Sequence, residues 1–493
     1  MTKHQIRFSQ PCGGRGLCKK CLVSVKGSCI FLNHTKPIED SQGFKRVQAC
    51  QTRVTGVIEV QVPKDQEAVV AGQGDALDLT YDDGKPGLGI AIDIGTTTIS
   101  VGLYDLLEEK LLQITHVHNL QQAHGADVLS RIDYANRGGL VELQNEIVSQ
   151  LEEILESQLK TVEKQPAEVL RCVITGNTTM LHLLCGLNPK GIGVAPFTPV
   201  SLFGKTKPMD TLFPAFIRAQ LYLAPCISAY VGADITCGMH LKNMGLNQKE
   251  TILLVDIGTN GEMALCHQGK ILCCATAAGP AFEGALIECG MSAAPGAIEA
   301  LRLDAGRVSV KTIANQKPSG ICGSGLISAV SALLSAGVIS GSGQLLGESH
   351  AYTNAIVQSN DGLRFTLCEQ VYLSQKDIRN IQLAKAAIGA GIQTLCQLAR
   401  VSYSEIDHLW LSGNFGSSLI VKDAANIGLI PDELVPKSSG IGNCAYGGAV
   451  AALFVCKRRK EMEILAAHTK EISLSSSPEF MENYIDQMAF YEE

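Results

Sequence analysis

Apolar residues along this chain follow two periods, and the changes between them divide it. Near the N terminus, L-V-S-V (Leu22 to Val25) and V-I-E-V-Q-V (Val57 to Val62) alternate or are β-branched, with polar turns between. This predicts a small β-rich unit that Pro63 ends. From Lys64 to Gly87 the chain turns to Asp, Gly and Gln without any period and reads as a linker. Strands then alternate with helices. Residues 88–94, 99–104 and 169–174 are apolar runs of strand length, while Leu143, Ile147, Leu151, Ile154 and Leu155 keep helical spacing over residues 140–162. The pattern restates itself later: 251–257 matches the first strand and 262–266 the second, an internal duplication of architecture. The expected fold class is α/β, with a small β-rich domain followed by a duplicated unit. The expected boundaries are 1–64, a linker at 65–87, halves at 88–245 and 246–457, and a C-terminal tail at 458–493.

At 493 residues, 46% hydrophobic and 18% charged, the chain can bury more than one core and reads as a folded, multidomain protein. Its net charge of −7 is uneven, because residues 1–64 carry 11 Lys and Arg against 3 Asp and Glu. A basic first domain without interleaved aromatics or a helix-turn-helix argues against nucleic acid; it suits docking on an acidic protein surface, or plain solvation. The longest uncharged stretch, residues 318–347, is interrupted by Gly and Ser and is not expected to span a membrane. Without a visible signal peptide, a cytoplasmic location is expected.

Of the 18 cysteines, Cys12, Cys18, Cys21 and Cys50 stand as C-x5-C-x2-C-x28-C in a glycine-rich run. Plant-type ferredoxins hold a [2Fe–2S] cluster with C-x4-C-x2-C and a distant fourth cysteine, and the related adrenal type has one more residue in the first gap, as here. Zinc would call for a second C-x2-C or a His pair, and a disulfide framework does not fit cysteines buried in apolar runs such as I-L-C-C (Ile271 to Cys274). The remaining cysteines read as packing residues.

Two further motifs carry chemistry, A-I-D-I-G-T-T-T (Ala91 to Thr98) and L-V-D-I-G-T-N-G (Leu254 to Gly261). Each puts an Asp at the end of a buried strand and then a Gly-Thr turn. Turn N–H groups and hydroxyls suit phosphate oxygens, and Asp93 and Asp256 suit Mg²⁺, held directly or through water. The turn residues are Gly95, Thr96 and Thr97 in the first copy and Gly258, Thr259, Asn260 and Gly261 in the second. A third element, G-I-C-G-S-G from Gly320, opens an apolar helix with Gly323, Ser324 and Gly325; a fourth, L-W-L-S-G-N-F-G from Leu409, supplies Gly413, Asn414 and Gly416 to line adenine and ribose.

This order of loops resembles the actin-like ATPase superfamily, in which two ribonuclease H-like halves clamp ATP. More narrowly, the ferredoxin-type cysteines with G-P-A-F-E-G-A-L-I-E-C-G-M (Gly279 to Met291) and D-I-R-N-I-Q-L-A-K-A-A-I (Asp377 to Ile388) are similar to the reductive activators of corrinoid proteins. The resemblance implies a [2Fe–2S] β-grasp domain, N-terminally shortened because 11 residues precede Cys12, followed by an actin-type ATPase. It implies an ATP-hydrolysing, Mg²⁺-dependent activase that returns a corrinoid from Co(II) to Co(I). Its partners would be the corrinoid protein of a methyltransferase system and an external low-potential electron donor, with no nucleic acid and no membrane; a homodimer is admitted. Asp93 and Asp256 would be catalytic, orienting the attacking water; the Gly-Thr turns would contact phosphates; and Gly323, Ser324 and Gly325 would face the adenosine. Asp234 is a further phosphate-side candidate, with a helix cap as its alternative. Two other functions stand beside this one: a different ATP-gated electron-transfer activator, and a non-catalytic nucleotide sensor with a vestigial ferredoxin domain.

Overall fold

A computed structural model describes residues 21–32, 42–61, 80–245, 247–347, 351–359, 362–413 and 419–490. Cys12, Cys18, Asn414, Gly416 and most of the expected linker lie outside the described residues.

The N-terminal residues form an antiparallel sheet of β1 (Leu22–Phe31), β2 (Lys45–Gln48) and β3 (Thr52–Gln61) in the order β2-β1-β3. Its apolar positions Val23, Val25 and Val47 are buried together. β1 and β3 run beyond the apolar runs that suggested them, because pairing satisfies backbone groups whatever side chains they carry. The register pairs Leu22 with Gln48, and the turn Ala49–Gln51 follows at once. Cys21 and Cys50 are thereby brought to the same end of the sheet.

A six-stranded sheet comes next: β4 (Leu88–Ile94), β5 (Thr98–Asp105), β6 (Lys110–His118), β7 (Val169–Gly176), β8 (Lys205–Pro208) and β9 (Gln220–Leu223), ordered β6-β5-β4-β7-β9-β8. Every residue of β4 is buried, as its unbroken apolar run requires of a strand covered on both faces. Helix Leu140–Thr161 covers the sheet with Leu143, Ile147, Leu151, Leu155 and Leu159.

The meander β10 (Ile252–Ile257), β11 (Gly261–His267) and β12 (Lys270–Thr276) opens a second six-stranded sheet. Two small sheets interrupt it, β13 (Ala297–Asp304) with β14 (Arg307–Thr312) and β15 (Gly320–Ile321), then β16 (Ile356–Ser359) with β17 (Gly362–Cys368) and β18 (Val371–Ser374). The chain returns through β19 (His408–Ser412), β20 (Ser438–Gly440) and β21 (Thr469–Glu471), giving the order β20-β19-β10-β11-β12-β21.

Residues late in the chain complete the earlier core. Leu453, Phe454 and Met462 are buried with β4 and β7 residues, so the first sheet is not closed by residues 88–245 alone. The segment expected as a tail is folded in: β21 pairs in parallel with β12, and Asn483 donates to Thr394 Oγ1 and Gln397 Oε1, 2.9 Å each, on helix Gln375–Ala399. Among the described residues no helix is long and apolar enough to cross a membrane.

Candidate nucleotide and cluster sites

β4 and β10 each run into D-I-G-T and return as a hairpin, so Asp93 lies opposite Ser100 and Asp256 opposite Glu262. On the other side a parallel strand arrives, setting Thr175 beside Asp93 and Ser412 beside Asp256. β7 ends in Gly176, of φ +151°, and β19 is followed at once by Gly413, of φ +111°. A Cβ at Gly176 would strike the Ile94 carbonyl, and one at Gly413 the Ile257 carbonyl. The sequence therefore repeats a second signal, T-G-N at Thr175 and S-G-N at Ser412, of which only the later copy was assigned to the nucleotide.

The two turns converge. Thr97 Oγ1 and Thr259 Oγ1 lie 3.5 Å apart although 162 positions separate them, and each donates at 2.8 Å to Glu283 Oε2. One cleft is lined by Asp93, Gly95, Thr96, Thr97, Asp256, Gly258, Thr259, Asn260 and Gly413, together with Asp234. It is also lined by Asn177, Glu262, Glu283 and Asn443, which the motif reading missed. Asn443 caps helix Cys444–Phe454 by accepting from Tyr446 N and donates to Asp93 Oδ2 at 2.7 Å. Asn177 caps helix Thr178–Leu184 and donates to Thr96 Oγ1 at 3.0 Å. Both are Asn residues at helix starts, a pattern the sequence could have offered.

Support differs between the turns. Behind the first, Asn119 Nδ2 donates to Gly95 O at 2.9 Å, Gln122 Nε2 to Thr97 O at 2.7 Å, and fully buried Arg131 to Thr96 O and Gly125 O. At the second, Ser412 Oγ donates to Asp256 Oδ2 at 2.9 Å.

The cleft is crowded with acid. Burial pushes Asp93 up to about 7 against the Asn443 hydrogen bond, with the Asp256 charge adding to the rise. Burial and the charges of Asp256 and Asp93 push Asp234 up to about 7, and Asp256 rises to about 6 for the same first reason, with Glu283 beside it. Glu262 and Glu283 are also raised by burial. Asp234 additionally accepts from Ile235 N at 2.8 Å in the first turn of its helix. Among the described residues no three His, Cys, Asp or Glu side chains converge as ligands of one ion. Asp93 and Asp256 nevertheless fit Mg²⁺, which is usually held by one or two carboxylates with water and phosphate oxygens completing its shell.

At the end of the small sheet, Cys21 Sγ lies 3.1 Å from Cys50 Sγ, and the Cys50 N–H points to Cys21 Sγ at 3.5 Å. At that separation the sulfurs are not joined in a disulfide, whose S–S bond is about 2.05 Å. Two thiols facing each other beside an N–H donor fit two ligands of one metal centre.

Family models match most of the chain: the RACo middle region over residues 88–247, and the C-terminal domain of RACo, the ASKHA domain, over residues 250–493. The corrinoid activation enzyme RamQ of Eubacterium limosum is 35% identical over 428 residues, 82% of this chain and 71% of that protein. The chain belongs to the RACo family of corrinoid reductive activators. A [Co(II) methylated amine-specific corrinoid protein] reductase of Methanosarcina barkeri is 25% identical over 441 residues, 82% of this chain and 77% of that one. A solved reductive activator for corrinoid, iron-sulfur protein superposes with a TM-score of 0.76 at 30% identity, covering 98% of this chain and 94% of that one.

In this RACo family member three expected adenosine residues are sited differently. Gly323, Ser324 and Gly325 begin helix Gly323–Ser335 but are buried and do not line the cleft. A Cβ at Gly325 would strike the Ile298 carbonyl, so this glycine lets the helix approach β13. Gly261 begins β11, paired with Ile257, and is likewise buried outside the cleft lining. Several other cysteines are packing residues: Cys226, Cys237 and Cys396 are buried, and burial pushes their thiols up to about 12.

Proposed function

We propose that this protein restores a corrinoid protein from Co(II) to Co(I) with single electrons, and that binding and hydrolysis of ATP gate the exchange. The observation that carries the nucleotide half is the meeting of Thr97 and Thr259 from two D-I-G-T turns. Hydroxyls so close, with an Asp behind each, suit a phosphate chain gripped from both sides. The corrinoid half is supported by what the relatives are named for, corrinoid activation and Co(II) corrinoid protein reduction.

Residues 1–64 are read as the ferredoxin-type domain, with Cys12, Cys18, Cys21 and Cys50 holding a [2Fe–2S] cluster; the facing sulfurs of Cys21 and Cys50 support this. When bound, such a cluster supplies single electrons at low potential, about −400 mV in the plant type. The Cys50 N–H stabilises charge on Cys21 Sγ. Residues 88–245 and 246–457 are read as the two nucleotide-clamping halves. Asp93 and Asp256 hold Mg²⁺ and orient the attacking water, the Asn443 amide fixing the first carboxylate and the Ser412 hydroxyl the second. Thr96, Thr97, Thr259 and Asn260 meet the phosphates. Because helix Cys444–Phe454 packs on the first sheet and its cap, Asn443, contacts Asp93, closure at the cleft moves both halves together. The external electron donor and the corrinoid protein are the partners this chemistry requires.

The test is reduction of a purified Co(II) corrinoid protein by a low-potential donor with and without MgATP, followed by Co(I) absorbance. An ATP-dependent gain is expected; none with any corrinoid partner overturns the reading. Iron content and the electron paramagnetic resonance of the reduced protein should show a [2Fe–2S] signal that Cys21→Ser and Cys50→Ser remove.

A further inference from the structure

Glu283 belongs to neither D-I-G-T turn. It stands on the crossing from β12 to β13, between Gly279 and Gly284 with φ of +77° and +75°. Its Oε2 accepts from Thr97 Oγ1 and from Thr259 Oγ1, both at 2.8 Å. These hydroxyls are the pair assigned above to phosphate oxygens. A carboxylate and a phosphate are both anionic acceptors, and a hydroxyl has one hydrogen to donate, so the two groups cannot share this pair.

We propose that Glu283 is a resident substitute for the terminal phosphate: it clasps the two turns in the nucleotide-free protein and yields both hydroxyls to a nucleoside triphosphate. The proposal rests on the nucleotide reading of the cleft and gives that site an internal competitor for its ligand. A triphosphate that reaches across both turns displaces the clasp. A diphosphate confined to one turn displaces only one of the two hydrogen bonds, so the clasp costs it less than it costs the triphosphate.

The same crossing is anchored five residues later. Glu288 N donates to Asp377 Oδ1 at 2.9 Å, and Tyr372 OH donates to Glu288 Oε2 at 2.8 Å. The segment thus has a fixed end at Glu288 and a glycine on each side of Glu283, which gives the carboxylate room to swing without unfolding the crossing.

The test uses the full-length holoprotein and titrates it calorimetrically with the Mg²⁺ complex of β,γ-imido-ATP and, separately, of ADP. Each hydroxyl bond given up is worth a net factor of about two to ten and the triphosphate displaces two of them, so Glu283→Ala should bind the triphosphate analogue about fourfold to a hundredfold more tightly. ADP affinity should change less, and Glu283→Gln should shift in the same direction. In the nucleotide-free variants, hydrogen exchange of residues 95–98 and 258–260 should be faster than in the wild type. Unchanged or weaker triphosphate binding in both folded variants overturns the clasp, as does equal tightening for ADP. A wild-type protein that binds neither nucleotide overturns the proposed function itself, which separates the two failures.

Discussion

The two D-I-G-T turns share a local sequence and differ in what holds them. The first is braced from behind, its three successive carbonyls taken by Asn119, Arg131 and Gln122. The second is braced sideways, by the Ser412 hydroxyl on Asp256, while Glu283 takes a hydroxyl from each turn alike. The first turn's backbone is therefore held by donors behind it, whereas the second is held chiefly through its aspartate. The repeated part is what the proposed phosphate contacts require of a turn. The unrepeated part belongs to the helices and crossings that each sheet happens to carry.

Removing either aspartate should produce the largest effect and tests whether the turns are functionally paired. Asp256→Ala and Asp93→Ala should each lower ATP turnover by about two orders of magnitude or more, with the iron–sulfur spectrum unchanged. Full hydrolysis in one of the two variants would break the pairing.

The unequal bracing is tested by stability. Arg131→Met leaves the Thr96 and Gly125 carbonyls without their buried donor and should cost about 3 kcal/mol. Ser412→Ala removes a single hydroxyl bond and should cost about 1 kcal/mol. Chemical denaturation of the two variants measures the difference; equal losses would contradict a turn fixed mainly from behind.

The smallest effect concerns the cover of the second sheet. Lys385 is buried on helix Gln375–Ala399, donates to Ala489 O, and is lowered by burial to about 8. The unfolded chain holds that proton up to about 10.5, so between the two values the unfolded state binds more protons. This lysine's contribution to stability therefore rises with pH across that window. Lys385→Met lacks the slope, and its melting temperature relative to the wild type should fall between pH 7.5 and 9.5; a constant difference would sink the assignment.

Much of this architecture was legible in the sequence. The unbroken apolar run of β4, the helical row from Leu143 to Leu155 and the two D-I-G-T turns all lie near their expected positions, because burial periodicity and tight turns are local constraints. The cysteine spacing singled out Cys21 and Cys50, whose sulfurs the strand register then brings together. Less legible was anything that depends on distant segments meeting. G-S-G at Gly323 looked like a ligand loop, but glycine permits close approach of any neighbour, and here the neighbour is β13.

The sequence by itself determined where the two D-I-G-T turns and the spaced cysteines stand, because tight turns and short spacings are local features. Only the tertiary structure decided that Asn443 reaches Asp93 and that Glu283 joins Thr97 to Thr259. Those contacts span hundreds of positions in one case and two strand-turn-strand units in the other. Their partners are chosen by how two sheets and their covering helices pack, and no local period or spacing encodes that.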